Sequence, residues 1–417
     1  MSISDSLALS EGQRALQDSL RGFLADQLSS ATLRSRLDTE PGYDPQLHSR
    51  LTGQRGLAGL TIPAEFGGLG LSAVEASVMY TELGRALYPG PFLSSALAAT
   101  VLLAAAGQET RDRWLPLLAD GSVTGAVAAA DQTGRWSPGP DSVRAKLTTE
   151  GWQLSGRRWF VIAGHVASII VVPAVTESGH AMFLVEPGAP GFEVTRHIDM
   201  DLTRRISVTA FDAAPALLLS QDGDASAALA RAEHEFLLAT AAEAAGGIEW
   251  CLDASIGYAE ELEQSELPPG SLGSIARSCA DMVADFKSVS SAARYAAAAT
   301  ADGATRAPML ARAAVLRAAE AYRDVTEAAV RLFSGTGSAA EDDVPLYYRR
   351  AWSAERLAGG PQAHKDAIDD LARRDQADEP QDPDDPDDPQ DRHGPDDRHG
   401  PDDPDGPDDP DGPRSPD

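Results

Sequence analysis

Three glycines, Gly67, Gly68 and Gly70, stand within four positions of the stretch LTIPAEFGGLGLS. A glycine cluster can cradle phosphate when it follows a strand and opens a helix with the spacing G-x-G-x-x-G. This cluster has the spacing G-G-x-G and lies between two helical patterns. We therefore predict a tight turn that uses the positive φ available to glycine, followed by a helix that Ser72 caps.

Carboxylates are the second feature that could do chemistry. The stretch RAEHEFLLATAAEAAGGIEW contains Glu233, Glu235, Glu243 and Glu249. Small apolar residues surround Glu243, so we expect it to be the buried one. Desolvation makes a carboxylate a stronger base and so suits it to general-base catalysis. A structural ion pair with a neighbouring arginine explains a buried glutamate at least as well.

The cysteine content limits the kind of site and the compartment. Cys251 and Cys279 both fall in helical patterns, and two cysteines exclude a disulfide scaffold or a four-cysteine zinc site. We predict no metal site. The first residues lack the pattern of a signal peptide, and no run of eighteen apolar residues occurs. We expect a soluble protein of the cytoplasm.

The net charge of −29 is unevenly distributed. Residues Asp375 to Asp417 hold eighteen acidic residues and three arginines, about half of the excess charge. A Pro/Asp-rich segment of this kind cannot bury enough apolar area to fold, so we predict a disordered acidic tail at 375–417. The repeated DRHGPD could alternatively bind a cation or a partner. The rest of the chain is also acidic, which disfavours nucleic acid as a partner.

The elements that must position these residues fall into three blocks of an α+β fold. Ser10 and Gln13 form a predicted capping box, and helical patterns follow, including one at 44–58. Short β-rich stretches lie between about 122 and 220, and long alanine-rich helical patterns come after them. We predict a helical domain at 1–120, a β domain at 121–221 and a helical bundle at 222–374.

Several stretches in this order resemble the acyl-CoA dehydrogenase family over roughly residues 8–373. They are GLTIPAEFGGLGLSAVEASVMYTELGRALYPGPF, LSGRRWFVIAGHVASIIVVPA, DMDLTRRISVTAFDAAPA, AAEAAGGIEWCLDASIGYAEELEQ and AAVRLFSGTGSAAEDDVPLYYRRAWSAERLAGGP. The resemblance implies an N-terminal helical domain, a central β-barrel-like domain and a C-terminal four-helix bundle. It also implies FAD as cofactor and α,β-dehydrogenation of an acyl thioester, in which a carboxylate takes the α proton and the flavin accepts hydride.

The resemblance suggests two places for the catalytic base. In the loop after RRA, where many members carry glutamate, this chain has Ala358. The other place is the first long bundle helix, where Glu243 is our candidate for the base and Glu235 is the alternative.

The flavin contacts implied by the resemblance are altered in the bundle. Where the family has a phosphate-pairing arginine and an adenine-packing phenylalanine, this chain has Leu262 and Ser265. Losing that cation weakens the binding of phosphate. The cofactor-binding candidates that remain in this region are Gln264, Ser271, Arg331, Gly335 and Gly337.

The β-rich block supplies the flavin-ring candidates that the resemblance implies. In RRWFVIAGH, Phe160 stands where an aromatic residue stacks on the flavin, and Val161 and Ile162 follow it. Asp131 and Thr133 are the polar candidates in AADQTGRWS.

Two main hypotheses for the function follow from the resemblance. The chain could be an acyl-CoA dehydrogenase whose substrate is carried by CoA or by a carrier protein, or a non-catalytic, FAD-deficient subunit that pairs with an intact homologue. A redox-neutral acyl-thioester enzyme on the same scaffold is a third hypothesis. We expect a homo- or hetero-oligomer in each case.

Overall fold

The computed structural model describes residues 8–136, 142–220, 225–263, 269–334 and 342–378. The described residues up to Ala372 form one compact unit, and the described residues after them, 373–378, belong to a second. Of the predicted tail, the structure describes only the end of a helix that reaches Asp378, so that helix continues a few residues beyond the predicted start of disorder. Residues 379–417 lie outside the described part.

Helices precede the strands. They are α1 (Glu11–Gln27), α2 (Ser30–Leu37), α3 (Pro45–Ser49), α4 (Ala73–Arg85), α5 (Phe92–Ala105) and α6 (Gln108–Ala119). The predicted capping box of α1 is present, since Ser10 N–H donates to Gln13 Oε1 at 2.9 Å and Gln13 N–H donates to Ser10 Oγ at 3.2 Å.

The prediction of one helix at 44–58 is wrong. The region is divided into α3, a π-helical turn at Arg50–Gln54 and a 3-10 turn at Leu57–Gly59. Gly56 between the two turns has a φ of +67°, a left-handed conformation that stops a right-handed helix. The prediction also missed α2, although Ser29 caps it by accepting a hydrogen bond from Thr32 N–H at 3.3 Å.

The glycine-rich stretch is a turn, as predicted. Gly67 and Gly70 have φ of +82° and +60°. A Cβ on Gly68 would lie 2.0 Å from the carbonyl oxygen of Ile62, so no side chain fits there. Ser72 caps α4 and forms a capping box with Glu75.

Seven described strands form a small barrel between the helical regions. They are β1 (Gly125–Val127), β2 (Arg144–Thr148), β3 (Gly151–Ile162), β4 (Ile169–Thr176), β5 (Gly179–Val185), β6 (Phe192–Arg196) and β7 (Ile206–Leu218). The pairings β4-β2-β3-β7-β5 close into a ring because β5 also pairs with β4. The parallel β1 adds to β4, and β6 adds to β7. Apolar residues such as Leu154, Val172 and Phe183 fill the interior.

Long helices follow the barrel. They are α7 (Ser226–Glu263), α8 (Pro269–Ala301), α9 (Ala307–Phe333), α10 (Val344–Leu357) and α11 (Gly360–Asp378). The first four share one apolar core and form the predicted four-helix bundle. The predicted boundaries between domains stay predictions. Among the residues described, no helix is both long and apolar enough to cross a membrane.

Candidate functional site

Close packing between α4 and α7 fixes the position of Glu243. A Cβ on Gly84 would lie 2.2 Å from the Glu243 carbonyl oxygen, and one on Gly246 would lie 1.9 Å from the Thr81 carbonyl oxygen. The two helices therefore approach each other at backbone distance, which only glycine at these positions permits. Glu243 is buried at this crossing, as its apolar neighbours predict, with 9% of its surface exposed.

Two arginines face the Glu243 carboxylate. Arg204, from the loop before β7, donates a hydrogen bond through Nη2 to Glu243 Oε2. Arg350 from α10 places Nη1 3.9 Å from the same oxygen. The structural ion pair that we weighed from the sequence is therefore present.

Arg350 also connects this carboxylate to a second buried acid. Its Nε donates to Asp201 Oδ2 at 2.7 Å, and its Nη2 donates to Thr203 Oγ1 at 2.6 Å. Burial alone lowers the pKa of Arg350, but the charges of Asp201 and Glu243 raise it overall. Asp201 and Glu243 therefore lie on either side of a permanently charged guanidinium.

Glu243 and Arg204 line a small cavity of about 30 Å³ together with Ile162 and Ser94. A second cavity of about 20 Å³ shares Ile162 and Ser94 and is lined by Phe160. Cavities of this size hold about one water each. The structure thus brings the candidate base Glu243 and the candidate ring contacts Phe160 and Ile162 to one cleft.

The three neighbouring ring candidates on β3 do not share an orientation. Phe160 has a φ of +53°, an uncommon conformation for a residue with a side chain, and the pairing of β3 with β7 shifts register there. Val161 is buried in the barrel interior, whereas Phe160 and Ile162 line the cleft. The side chain of Val161 is therefore directed away from the cleft, and its proposed contact with the cofactor stays a prediction.

Asp131 and Thr133 form a local turn at the edge of the barrel. Asp131 Oδ1 accepts hydrogen bonds from Thr133 N–H and from Thr133 Oγ1, both at 2.7 Å, and from Arg135 N–H at 3.1 Å. Burial raises the pKa of the Asp131 carboxyl, but these hydrogen bonds lower it overall. The turn thus occupies one carboxylate oxygen of Asp131 and the hydroxyl of Thr133.

Glu235, the alternative base, lines a different cavity. This cavity of about 250 Å³ lies between α4, α5, α7 and α8, and neither Phe160 nor Ile162 lines it. Thr100 Oγ1 donates a hydrogen bond to Glu235 Oε2. Burial raises the pKa of the Glu235 carboxyl, and the Thr100 hydroxyl partly opposes this effect. The structure does not bring Glu235 together with the ring candidates.

The candidates for the phosphate end of the cofactor are only partly described. Arg331 is exposed over 71% of its side chain and lies 3.8 Å from Glu327 on its own helix. Ser271 lies in the first turn of α8. Gln264, Gly335 and Gly337 lie outside the described residues, so their roles stay predictions.

The described residues of one chain do not fit the whole of FAD. Trp136 stacks on Phe236 with ring centroids 5.4 Å apart and fills the part of the cleft beside Phe160. The candidates Leu262 and Arg331 do not line this cleft; Leu262 carries no charge and Arg331 is exposed. Binding of a phosphate-bearing cofactor relies on cations and oriented N–H groups. The described cations that do line the cleft, Arg204 and Arg205, are hydrogen-bonded to Glu243 and to backbone carbonyls.

Sequence reasoning missed the polar and charged residues around Glu243, which are Asp201, Thr203, Arg204 and Arg350. The signal was present, because DMDLTRR places two aspartates and two arginines directly before a strand. Their burial could not be read from the sequence, since it depends on the contact of this loop with α7 and α10. Within the described ranges, no cluster of His, Cys, Asp and Glu could hold a metal ion.

The chain matches two family models, the N-terminal domain of acyl-CoA dehydrogenase over residues 10–122 and its C-terminal domain over residues 233–371. It is 28% identical to acyl-CoA dehydrogenase IpdE2 of Mycolicibacterium smegmatis over 85% of this chain and 96% of that protein.

Two solved structures are also similar to this chain in sequence and fold. A chain of the ChsE4–ChsE5 complex from Mycobacterium tuberculosis is 26% identical, with a TM-score of 0.78 over 90% of this chain and 99% of that one. A chain of a Tcur3481–Tcur3483 steroid ACAD variant is 27% identical, with a TM-score of 0.77 over 88% of this chain and 99% of that one.

Proposed function

Because the chain belongs to the acyl-CoA dehydrogenase family, an FAD-dependent family of oxidoreductases, we propose that it takes part in the α,β-dehydrogenation of an acyl thioester in the cytoplasm. The observation that supports this most is the shared cleft, in which Glu243 and Ile162 line one cavity and Phe160 lies beside it. We assign Glu243 as the group that takes the α proton.

Arg204 has two roles in this proposal. Its Nη2 holds Glu243, and its Nη1 is buried with no hydrogen-bond partner in the described part of the chain. An unpaired buried donor can bind the thioester carbonyl, which polarises it and acidifies the α proton.

A partner subunit is part of the proposal, because the described cations of the cleft, Arg204 and Arg205, already pair with groups of this chain. The related ChsE4–ChsE5 structure is a complex of two different proteins, and the Tcur3481–Tcur3483 structure likewise names two. We propose that this chain forms an oligomer with a second acyl-CoA dehydrogenase chain and that FAD is shared between them. In the second candidate function, this chain contributes only structure to that complex and its partner performs the chemistry.

The flavin content of the purified protein tests the shared site. A hydrogen bond to a charged group contributes about 1.5–3 kcal/mol, so loss of the arginine weakens binding by about ten- to a hundredfold. We expect less than one FAD per chain in the isolated protein and a higher ratio in Leu262→Arg with Ser265→Phe, measured by absorbance after gel filtration. Ile256→Arg, which adds the same charge at an exposed site six residues earlier, serves as the control. Full occupancy in the isolated wild type contradicts the proposal.

Turnover by the complex of this chain with a second acyl-CoA dehydrogenase chain tests whether Glu243 is the catalytic base. Loss of a general base lowers turnover by about 10²–10⁴-fold, so we expect this loss in Glu243→Gln while flavin remains bound. Glu235→Gln is the matched control on the same helix, and we expect it to retain activity. Unchanged turnover in Glu243→Gln favours the non-catalytic subunit.

A further inference from the structure

The cavity around Glu235 has no part in the proposed reaction. At about 250 Å³ it is much larger than the two cavities of the cleft. Apolar atoms form most of the surface of its wall, and the apolar side chains are Leu71, Ala73, Ala76, Leu103, Leu238 and Ala239. Polar side chains also line it, and they are Thr61, Ser77, Tyr80, Thr100, Arg231, His234, Glu235 and Thr300. Tyr80, Thr100 and Glu235 lie together on the three helices that enclose its centre.

Two of these polar groups have unused hydrogen-bonding capacity. Tyr80 is 3% exposed, and its hydroxyl makes no hydrogen bond to any residue that the structure describes. Glu235 accepts one hydrogen bond, from Thr100 to Oε2, and Oε1 has no protein donor within the same described ranges. Neither oxygen is among the buried unpaired atoms of the described residues, so both are open to the cavity, where a ligand that pairs with both groups gains affinity.

The chemistry of the two groups selects the ligand. The phenol of Tyr80 donates and the carboxylate of Glu235 accepts, and a single hydroxyl group can accept from one and donate to the other. Burial in this wall raises the pKa of Glu235, so the cavity disfavours charge and favours a neutral ligand. Arg231 is the charged residue of the lining besides Glu235, and it is exposed to solvent.

The volume limits the size of the ligand. An apolar protein cavity of about 150 Å³ binds benzene. A cavity of about 250 Å³ therefore has room for one ring that carries a short alkyl chain and a hydroxyl group.

We propose that the Glu235 cavity binds a compact apolar alcohol or phenol, whose hydroxyl group accepts a hydrogen bond from Tyr80 and donates one to Glu235. This site is separate from the cleft of Glu243, and its ligand is not the acyl thioester. The proposal does not depend on the proposed function.

Calorimetric titration of the full chain with 4-propylphenol and with propylbenzene tests the ligand class, because the two probes differ only in the hydroxyl group. One net hydrogen bond contributes about 0.5–1.5 kcal/mol, so we expect the phenol to bind about two- to tenfold tighter for each bond made. Equal affinities, or no binding of either probe, overturn the proposal.

Substitutions of residues that line the cavity test whether the two probes bind there. We expect Tyr80→Phe to weaken binding of the phenol about two- to tenfold and to leave propylbenzene unaffected. Tyr258→Phe, on α7 beside Phe333 and outside the cavity, is the matched control and should change neither affinity. Leu238→Trp fills the cavity and should abolish binding of both probes. Ala76→Leu fills it less and replaces Leu238→Trp if that variant fails to fold. Binding that persists in a folded, filled variant overturns the proposal.

Discussion

Glu235 and Glu243 lie about two turns apart on α7, yet their surroundings are opposite in character. Glu243 faces the guanidinium groups of Arg204 and Arg350, whereas Glu235 has the hydroxyl of Thr100 as its hydrogen-bond donor. Burial raises the pKa of Glu235. Only Glu243, however, shares a cleft with Phe160 and Ile162. The carboxyl whose pKa burial raises is therefore not the one that lies at the cleft.

The difference originates outside α7. The loop before β7 carries Asp201, Thr203 and Arg204, and α10 carries Arg350, and both elements meet α7 at Glu243. Near Glu235, α7 meets α4, α5 and α8, whose facing residues are all uncharged. One helix therefore presents a charge-paired site and an apolar cavity because different elements cover it at the two positions.

Arg350→Met gives the largest expected effect, because it removes the cation that both buried acids share. Breaking a buried ion pair from one side costs about 3–5 kcal/mol. We expect the free energy of unfolding, measured by urea denaturation, to fall by this amount. Arg331→Met is the control at an exposed position, where changes stay within about 0.5 kcal/mol. A loss below about 1 kcal/mol in Arg350→Met would mean that solvent reaches the network.

Local signals made much of the fold predictable. The capping residues Ser10 and Ser72, the glycine turn at Gly67–Gly70 and the alternation of the strands all act over a few residues. The burial of Glu243 was also predictable from its small neighbours. Its pairing with Arg204 and Arg350 was not, because these residues are distant in the sequence and meet only after folding. The interruption at 44–58 was missed because the helical period continued past the point where Gly56 turns the chain.

His48 should make the stability of the protein depend on pH. Its Nδ1 lies 3.1 Å from the phenol oxygen of Tyr88, which lines the same cavity as Glu243. Burial lowers the pKa of His48 from 6.5 to about 4. As the pH falls from 6.5 to about 4, the unfolded chain binds a proton that the folded chain excludes, so stability is lost. This loss ends below about pH 4. We expect it to reach about 2–3 kcal/mol.

His48→Gln isolates this contribution because glutamine does not titrate. Urea denaturation of wild type and variant at several pH values between 4 and 7.5 should show a shallower loss of stability in the variant. Parallel pH profiles would show that His48 takes up a proton in the folded state without cost.

Glu235→Gln gives the smallest expected effect and has the opposite dependence on pH. Burial raises the pKa of Glu235 above its ordinary 4.5, so the folded chain retains a proton that the unfolded chain releases as the pH rises. Stability from this group is complete below pH 4.5 and is lost as the pH rises through the folded pKa. Glutamine keeps the shape and can still accept from Thr100. The free energy of unfolding of the variant should therefore rise relative to that of wild type as the pH rises, by less than about 1 kcal/mol.

Glu233→Gln is the matched control two residues earlier on α7, where the carboxylate pairs with Arg312 at 3.0 Å. Removal of a partly exposed pair costs about 0–1 kcal/mol, so this variant should be slightly less stable than wild type at neutral pH. Opposite signs for the two substitutions in urea denaturation at pH 8 would establish that α7 carries one carboxylate stabilised by a charged partner and one whose charge is disfavoured by burial. A loss of stability in Glu235→Gln at that pH would instead mean that a cation in the folded chain stabilises the Glu235 carboxylate more than the Thr100 hydrogen bond implies.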